Sequence, residues 1–355
     1  TIPTDDKATA ALVQNTGTTA ADGGRIALMA ATDAKAQVVN QTGVLRANTL
    51  ESRNGEIVLS AGHTTNSDGT AAYTPNALNV SGTLEANGGQ VRILSGQDIT
   101  VTNLPAFFSN SPTRTAEVDA GSIVNADALS RALGQASGVT LESAALQAPP
   151  PGEFFIEQGS VERFSAGNGV RFDDTAQVLK SQGTAAATLT VNSARNILMA
   201  SNSALGSSSG ALNVDFNADA NGDLSQGGLP RGAIGLDGAR IESNGGSIRF
   251  YGQSDPVNGR AAGGPQSGAA AEENGLEREG ILLRDSVIST CAPGQTACSG
   301  GSSITLRGQG GTVTVATGPG LLGFSGVGIA SYGSTLRSGS GAIAMDGIGG
   351  TGASG

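Results

Sequence analysis

The residues most open to chemistry in this chain are its two cysteines, in Cys291-Ala292-Pro293-Gly294-Gln295-Thr296-Ala297-Cys298. Pro293-Gly294 places a turn between them. The spacing favours a loop-closing disulfide, a bond that forms and persists in oxidising compartments, with two exposed thiols as the alternative. Zinc lacks ligands, because His63 is the only histidine and there is no further cysteine. A second candidate is Asn217-Ala218-Asp219-Ala220-Asn221-Gly222-Asp223, where oxygen side chains alternate and a glycine marks the turn. It resembles the opening of a calcium loop, to which Asp215 would add one oxygen. Gly228 stands where the distal glutamate belongs, so the favoured reading is an Asx-rich corner bonding its own backbone, with no metal site.

Cleavage of a polysaccharide would need carboxylates converging on one face. The dense acidic groups are Asp5-Asp6, Asp173-Asp174, Glu272-Glu273 and Glu277-Arg278-Glu279, all in irregular stretches where solvated charge is the default. His63 lies in Gly62-His63-Thr64-Thr65 with no nucleophile at a motif spacing and reads as solvent-exposed. No catalytic residue is assigned, no cofactor is implied, and the chain is read as non-enzymatic. Asn40-Gln41-Thr42 and Asn79-Val80-Ser81 match the glycosylation acceptor pattern, a short match frequent by chance in a chain rich in Ser and Thr.

The elements that must position these residues declare themselves by spacing. Ile234, Ile241 and Ile248 stand seven apart, and so do Ile329, Leu336 and Ile343. Ile281 to Ile288 keeps the step, after which Ile304 follows only beyond the cysteine-bearing insertion. Related phrases start early, as in Gly23-Gly24-Arg25-Ile26-Ala27-Leu28, Asn54-Gly55-Glu56-Ile57-Val58-Leu59 and Gly88-Gly89-Gln90-Val91-Arg92-Ile93. Within each, apolar and polar residues alternate as in strands with one buried face. Short strands separated by Gly- and Ser-rich corners, repeated along a chain, are the signature of a solenoid whose units are stable only when stacked.

Composition agrees. The chain has 355 residues, 55 of them Gly, no Trp and 3% aromatics, so its apolar content is mostly Ala, Val, Ile and Leu, suited to a narrow core. A formal net charge of −10 opposes binding to nucleic acid. No apolar run approaches the ~20 residues that span a bilayer. The chain begins Thr1-Ile2-Pro3 with no signal peptide, and so reads as a mature or excised portion of something longer.

Three stretches interrupt the repeat. Ile123 to Gly134 can form one or two helical turns with Leu129 and Leu133 on one face and Gly134 as a stop. Ala148-Pro149-Pro150-Pro151-Gly152 must leave the coil and introduces Phe154, Phe155, Phe164 and Phe172. Residues 148–178 are therefore expected to form an extra-helical insertion with a possible hairpin, its Phe cluster packed on the flank as a possible partner contact. Residues 252–277 are expected to form a long loop.

Phrases such as Val38-Val39-Asn40-Gln41-Thr42-Gly43 followed by Asn54-Gly55-Glu56-Ile57-Val58-Leu59-Ser60-Ala61-Gly62 resemble the shaft of the filamentous haemagglutinin family, exoproteins of bacterial two-partner secretion. Leu129-Ser130-Arg131-Ala132-Leu133, Gly138-Val139-Thr140-Leu141, Ala194-Arg195-Asn196-Ile197 and Leu212-Asn213-Val214 follow the same order. The resemblance implies an all-β, right-handed parallel β-helix, here one continuous unit over 1–355, exported through an outer-membrane β-barrel transporter to the bacterial surface or the extracellular medium. The Asn-Pro-Asn motifs of the family's N-terminal secretion module are lacking, so the chain matches a downstream shaft segment, on which transporter contact cannot be placed. The expected function is a structural or adhesive fibre segment that attaches to a host-cell or neighbouring-cell receptor or glycan, or presents other modules. The alternative is a filament subunit stacking end to end, and a polysaccharide-cleaving enzyme stands third. About 13–16 coils and a rod of roughly 60–75 Å are expected at about 4.8 Å per coil, with Ile234, Ile241, Ile248, Ile329, Leu336 and Ile343 pointing inward.

Overall fold

The computed structural model describes residues 12–31, 37–50, 54–65, 71–74, 76–103, 121–144, 169–220, 232–263, 266–267, 279–298, 300–311, 313–315, 326–350 and 352–354. Within them a little over half of the residues are strand, joined by corners and connections and by one helix. It visits three parallel faces in turn, called here the first, second and third sheets, the second being divided by the helix into a three-stranded and a five-stranded part, the layout of a parallel solenoid. The first three coils are Val13–Asn15, Thr18–Ala20 and Arg25–Ala30; Gln37–Gln41, Val44–Arg46 and Glu56–Ala61; and Ala77–Val80, Thr83–Glu85 and Gln90–Ser95. Coil four runs Ser122–Asn125, the helix Ala126–Gln135, and Gly138–Ser143. Coil five is Gly169–Phe172, Gln177–Lys180 and Ala187–Ser193, and coil six is Asn196–Met199, Ala204–Ser207 and Leu212–Ala218. Coils seven to nine are Ile234–Asp237, Arg240–Glu242 and Ile248–Gly252; Ile281–Arg284, Val287–Ser289 and Ile304–Gln309; and Ile329–Tyr332, Thr335–Arg337 and Ile343–Ile348. Nine complete coils among the described residues replace the larger number expected, because long connections take up much of the chain.

Register explains the core. In the third sheet Ile26, Ile57, Val91, Val139, Leu189, Val214, Ile248, Ile304 and Ile343 stack as one inward column. Two residues along, Leu59, Ile93, Leu141, Val191, Phe216, Phe250 and Leu306 form a second. Full burial of each such side chain contributes about 1.5–3 kcal/mol, which is why an alternating strand suffices per coil. Ile234, Ile241 and Ile248 are fully buried as expected. Ile329 and Leu336 are only partly buried and Ile343 is 43% exposed, although all three sit in the right columns. They belong to the last coil, which has no tenth coil above it among the described residues.

Corners are built from short polar residues. Where the first sheet turns into the second, Asn202, Gly238, Asp285 and Gly333 all take positive φ, 65°, 61°, 46° and 60°. Glycine, asparagine and aspartate tolerate that left-handed backbone. Where the second sheet turns into the third, a Ser-x-x-Gly phrase recurs: Ser207, Ser243 and Ser338 donate their hydroxyls to the carbonyls of Gly210, Gly246 and Gly341 at 2.7, 2.6 and 2.6 Å.

Two features depart from a plain coil. Strand Ile99–Thr102 does not lie beside Ala77–Val80; Ser122–Asn125, later in the chain, fills that place and pairs with both neighbours. Ile99–Thr102 then pairs with Gly169–Phe172 on its other side. The helix occupies the second sheet's position in coil four, between Thr83–Glu85 and Gln177–Lys180, with Leu129 and Leu133 buried in the core. Its N-cap is Asn125, whose side-chain oxygen accepts from the backbone N–H groups of Asp127 and Ala128 at 3.0 and 3.1 Å. Gly134, expected to stop the helix, lies inside it.

The two expected excursions are corrected in part. Residues 148–168, with Phe154, Phe155 and Phe164, lie outside the described residues, but 169–178 belong to coil five in register. In the 252–277 stretch, Ala261–Ala262 rejoin the third sheet against Gly308–Gln309, and Gln266–Ser267 pair with Val313–Thr314, which pair in turn with Gly352–Ala353.

Candidate functional site

Cys291 and Cys298 are joined by a disulfide. Their loop has little apolar surface of its own and lies along the outer face of the second sheet. Cys291 is buried, its N–H donates to the Ser289 hydroxyl at 3.1 Å, and its carbonyl accepts from Asn244 N–H at 3.0 Å. At the turn, Gly294 N–H donates to Glu242 Oε1 at 3.1 Å. Glu242 is itself buried and held by both arms of Arg240, at 3.2 and 3.0 Å. The Gln295 carbonyl accepts from Arg337 at 3.3 Å. Pro293 rests over Gly206, where a Cβ would stand 3.3 Å from the proline ring. Polar contacts hold the loop where apolar ones are lacking.

Asp215 and the start of the calcium-like stretch, Asn217-Ala218, lie in a strand. Leu212–Ala218 is continuous, so the alternation of Asn213, Asp215 and Asn217 is the period-two outer face of a strand whose inner face is Leu212, Val214 and Phe216. Asp215 is engaged by Arg249 on coil seven at 2.6 and 2.5 Å, an ion pair that pushes the arginine's pKa up. Asn217 bonds Asn192 and Ser254 at 3.0 and 3.1 Å. Asp219 is buried at a left-handed corner, φ 51°, and Asn221 and Asp223 lie outside the described residues. No group of three or more His, Cys, Asp or Glu side chains suited to a metal comes together among the described residues.

Of the remaining candidates, Asp5 and Asp6 lie outside the described residues. Asp173 accepts from the N–H and hydroxyl of Thr175 at 2.9 and 2.7 Å, closing a corner. Glu279 is buried beside Gly280, and Glu272, Glu273, Glu277 and Arg278 lie outside the described residues. His63 sits in the strand His63–Thr65, which forms a small antiparallel hairpin with Ala71–Tyr73 rather than a loop. Asn79 is buried and its amide nitrogen donates to Asn40 Oδ1 at 2.9 Å, so the two glycosylation matches form a rung-to-rung amide pair. Phe172 is fully buried, correcting its reading as a partner contact: it stacks on Phe216 at 6.0 Å between ring centroids, and Phe216 stacks on Phe250 at 5.0 Å. Tyr251, on the outer face of the third sheet, is largely buried, and that burial pushes its phenol pKa up.

One titratable group of interest escaped the sequence reading. Lys180 is buried in the second sheet's inward column, where the next coils carry Ser207 and Ser243. Its ammonium donates to the carbonyls of Gln182, Gly183 and Ser209. Lys180-Ser181-Gln182-Gly183 thus repeats the Ser-x-x-Gly corner with an amine in place of the hydroxyl, and the aligned spacing was the available signal. Burial pushes its pKa down.

What these arrangements offer is outer sheet faces, ion-paired between coils, and a disulfide loop laid over one of them. No helix of the described residues is long and apolar enough to cross a membrane, which says nothing of a β-barrel. No family model, curated protein or solved structure matches the chain.

Proposed function

We propose that this chain is a segment of a secreted bacterial surface exoprotein, a closed right-handed parallel β-helix of the filamentous haemagglutinin kind. It attaches to a receptor or glycan on a host or neighbouring cell, or holds other modules away from the producing cell. Right-handed winding follows from the general preference of parallel crossovers. Export through an outer-membrane β-barrel partner and residence at the cell surface or beyond belong to the same reading. The observation that supports it most is the continuity of the first- and third-sheet ladders, from Val13 to Tyr332 and from Arg25 to Ile348, with polar positions spent on corners and inter-coil bonds. Such a ladder gives reach and stiffness along its axis. The disulfide is in keeping with an oxidising, extracytoplasmic setting.

Fluorescent beads coated with the protein test the attachment role. Saturable binding to host or bacterial cells, competed by free protein and unaccompanied by sugar release in a polysaccharide-cleavage screen, is the expected result. Release of new reducing ends from a polysaccharide would replace the reading with an enzymatic one.

A second reading is end-to-end self-association, in which the inward column of coil nine, the last among the described residues, meets another copy of the chain. Ile343 and Met345, stacked on the fully buried Ile304 and Leu306, are 43% and 50% exposed. Another coil seated there would bury them. Filaments that lengthen with concentration, and are lost in Ile343→Asp/Met345→Asp, are its expected signature; a monomer at every concentration would remove it.

A further inference from the structure

We propose that the disulfide loop Cys291–Cys298 is a clasp that ties coils six to nine together from outside the rod. In a stack of coils the backbone ladder joins each unit only to its neighbours, so stability is a sum of nearest-neighbour terms. This loop breaks that rule. It leaves coil eight after Ser289, yet Pro293 rests on Gly206 of coil six, Gly294 bonds Glu242 of coil seven and Gln295 bonds Arg337 of coil nine. The contact between coils six and eight reaches past a nearest neighbour.

The seat is fitted to the loop. Gly206 stands in the second sheet's outward column between Leu179 and Glu242, and its missing side chain leaves the depression that Pro293 enters. Glu242 presents a buried carboxylate whose second partner, beyond Arg240, is the loop's own backbone N–H. A hydrogen bond to a charged group is about twice as strong as a neutral one, and lifting the loop would remove it from a partly desolvated acceptor. Arg337 approaches from the far side. These weak contacts succeed only if presented together. The disulfide does that, since a closed loop has few conformations to lose on seating. Coils six to nine are thereby expected to open as one unit rather than fray singly.

Hydrogen exchange on the full chain, compared between the oxidised protein and both its reduced form and Cys291→Ser/Cys298→Ser, tests the clasp. Amides in 204–207, 240–242 and 335–337 should exchange at least about tenfold faster once the disulfide is open, equivalent to about 1.4 kcal/mol of local protection. Amides in 26–30 and 57–61 of coils one and two should be unchanged. Glu242→Gln, with the disulfide intact, should accelerate the same segments by a smaller factor. Acceleration confined to 291–298 would overturn the proposal, as would unchanged protection. So would uniform acceleration in all nine coils, which would make the disulfide a global staple.

Discussion

At the scale of single residues, the core is a set of columns, and each member is replaceable only by something of similar bulk. Phe216 is the clearest case, placed between Phe172 across the core and Phe250 on the next coil. Phe216→Ala should destabilise the protein by about 3–5 kcal/mol in urea denaturation, because three rings lose contact and coils held by ladders cannot collapse into the gap. Phe216→Leu should cost less than about 1.5 kcal/mol, matching the leucines elsewhere in that column. Lys180 makes a prediction of opposite character. Its folded pKa lies below its unfolded value, so the folded state binds fewer protons in the window between them. The burden of the buried charge is fully present below the folded pKa and is relieved as pH rises through it. The stability of the natural protein relative to Lys180→Met should therefore increase as pH rises from neutral toward the ordinary lysine value. At neutral pH the variant should still lose about 1–3 kcal/mol, because three carbonyls lose their shared donor. A stability difference that falls with rising pH would show that the three carbonyls outweigh desolvation. Inward residues were legible from the seven-residue step because a strand's alternation fixes which side chains face in. The outer-face residues misled: Asp215 and Asn217 carry the residue types of a calcium loop at the spacing of a strand, and only burial of Val214 and Phe216 tells the two apart.

Elements obey the same logic with one substitution. The helix Ala126–Gln135 stands where a second-sheet strand would be, and it can do so because Leu129, Ala132 and Leu133 offer the core the apolar face a strand would have supplied. Its start depends on Asn125, which is at once the last residue of a strand and the helix cap. Asn125→Ala should lower stability by about 1 kcal/mol, while Asn125→Asp, which keeps the accepting oxygen, should be nearly neutral in thermal melts. The helix was readable from Leu129 and Leu133, but its end was not. Gly134 signals a stop by type, yet Ala136 performs it, its N–H reaching back to Ala132 before the chain extends. The seat of the cysteine loop was equally hidden. Glu242 and Arg337 lie 52 and 42 residues from the loop positions they meet, and pairing at that range is set by coil register, which composition does not carry.

For the whole molecule, the order of strands matters as much as their number. Because Ser122–Asn125 fills a place between Ala77–Val80 and Ile99–Thr102, coil four is completed after the strand beyond it has been made. Folding cannot be simple winding from the N-terminus at that point, and the repeat gave no sign of it, since each strand is individually ordinary. Exposure of Ile343 was unreadable for a related reason: a period assigns a side chain to the inward column, and only a further coil buries it. The central claim is that successive coils stack parallel and in register. Disulfide trapping between outward positions measures this directly, with the natural Cys291–Cys298 bond left in place. Thr140 and Thr190 are register partners on coils four and five, whereas Thr140 and Thr305 are separated by four coil spacings, roughly 19 Å. Under mild oxidation, Thr140→Cys/Thr190→Cys should close an intramolecular bond nearly completely, and Thr140→Cys/Thr305→Cys should leave both thiols free. Free thiols in the first pair, or an intramolecular bond in the second, would contradict the stack.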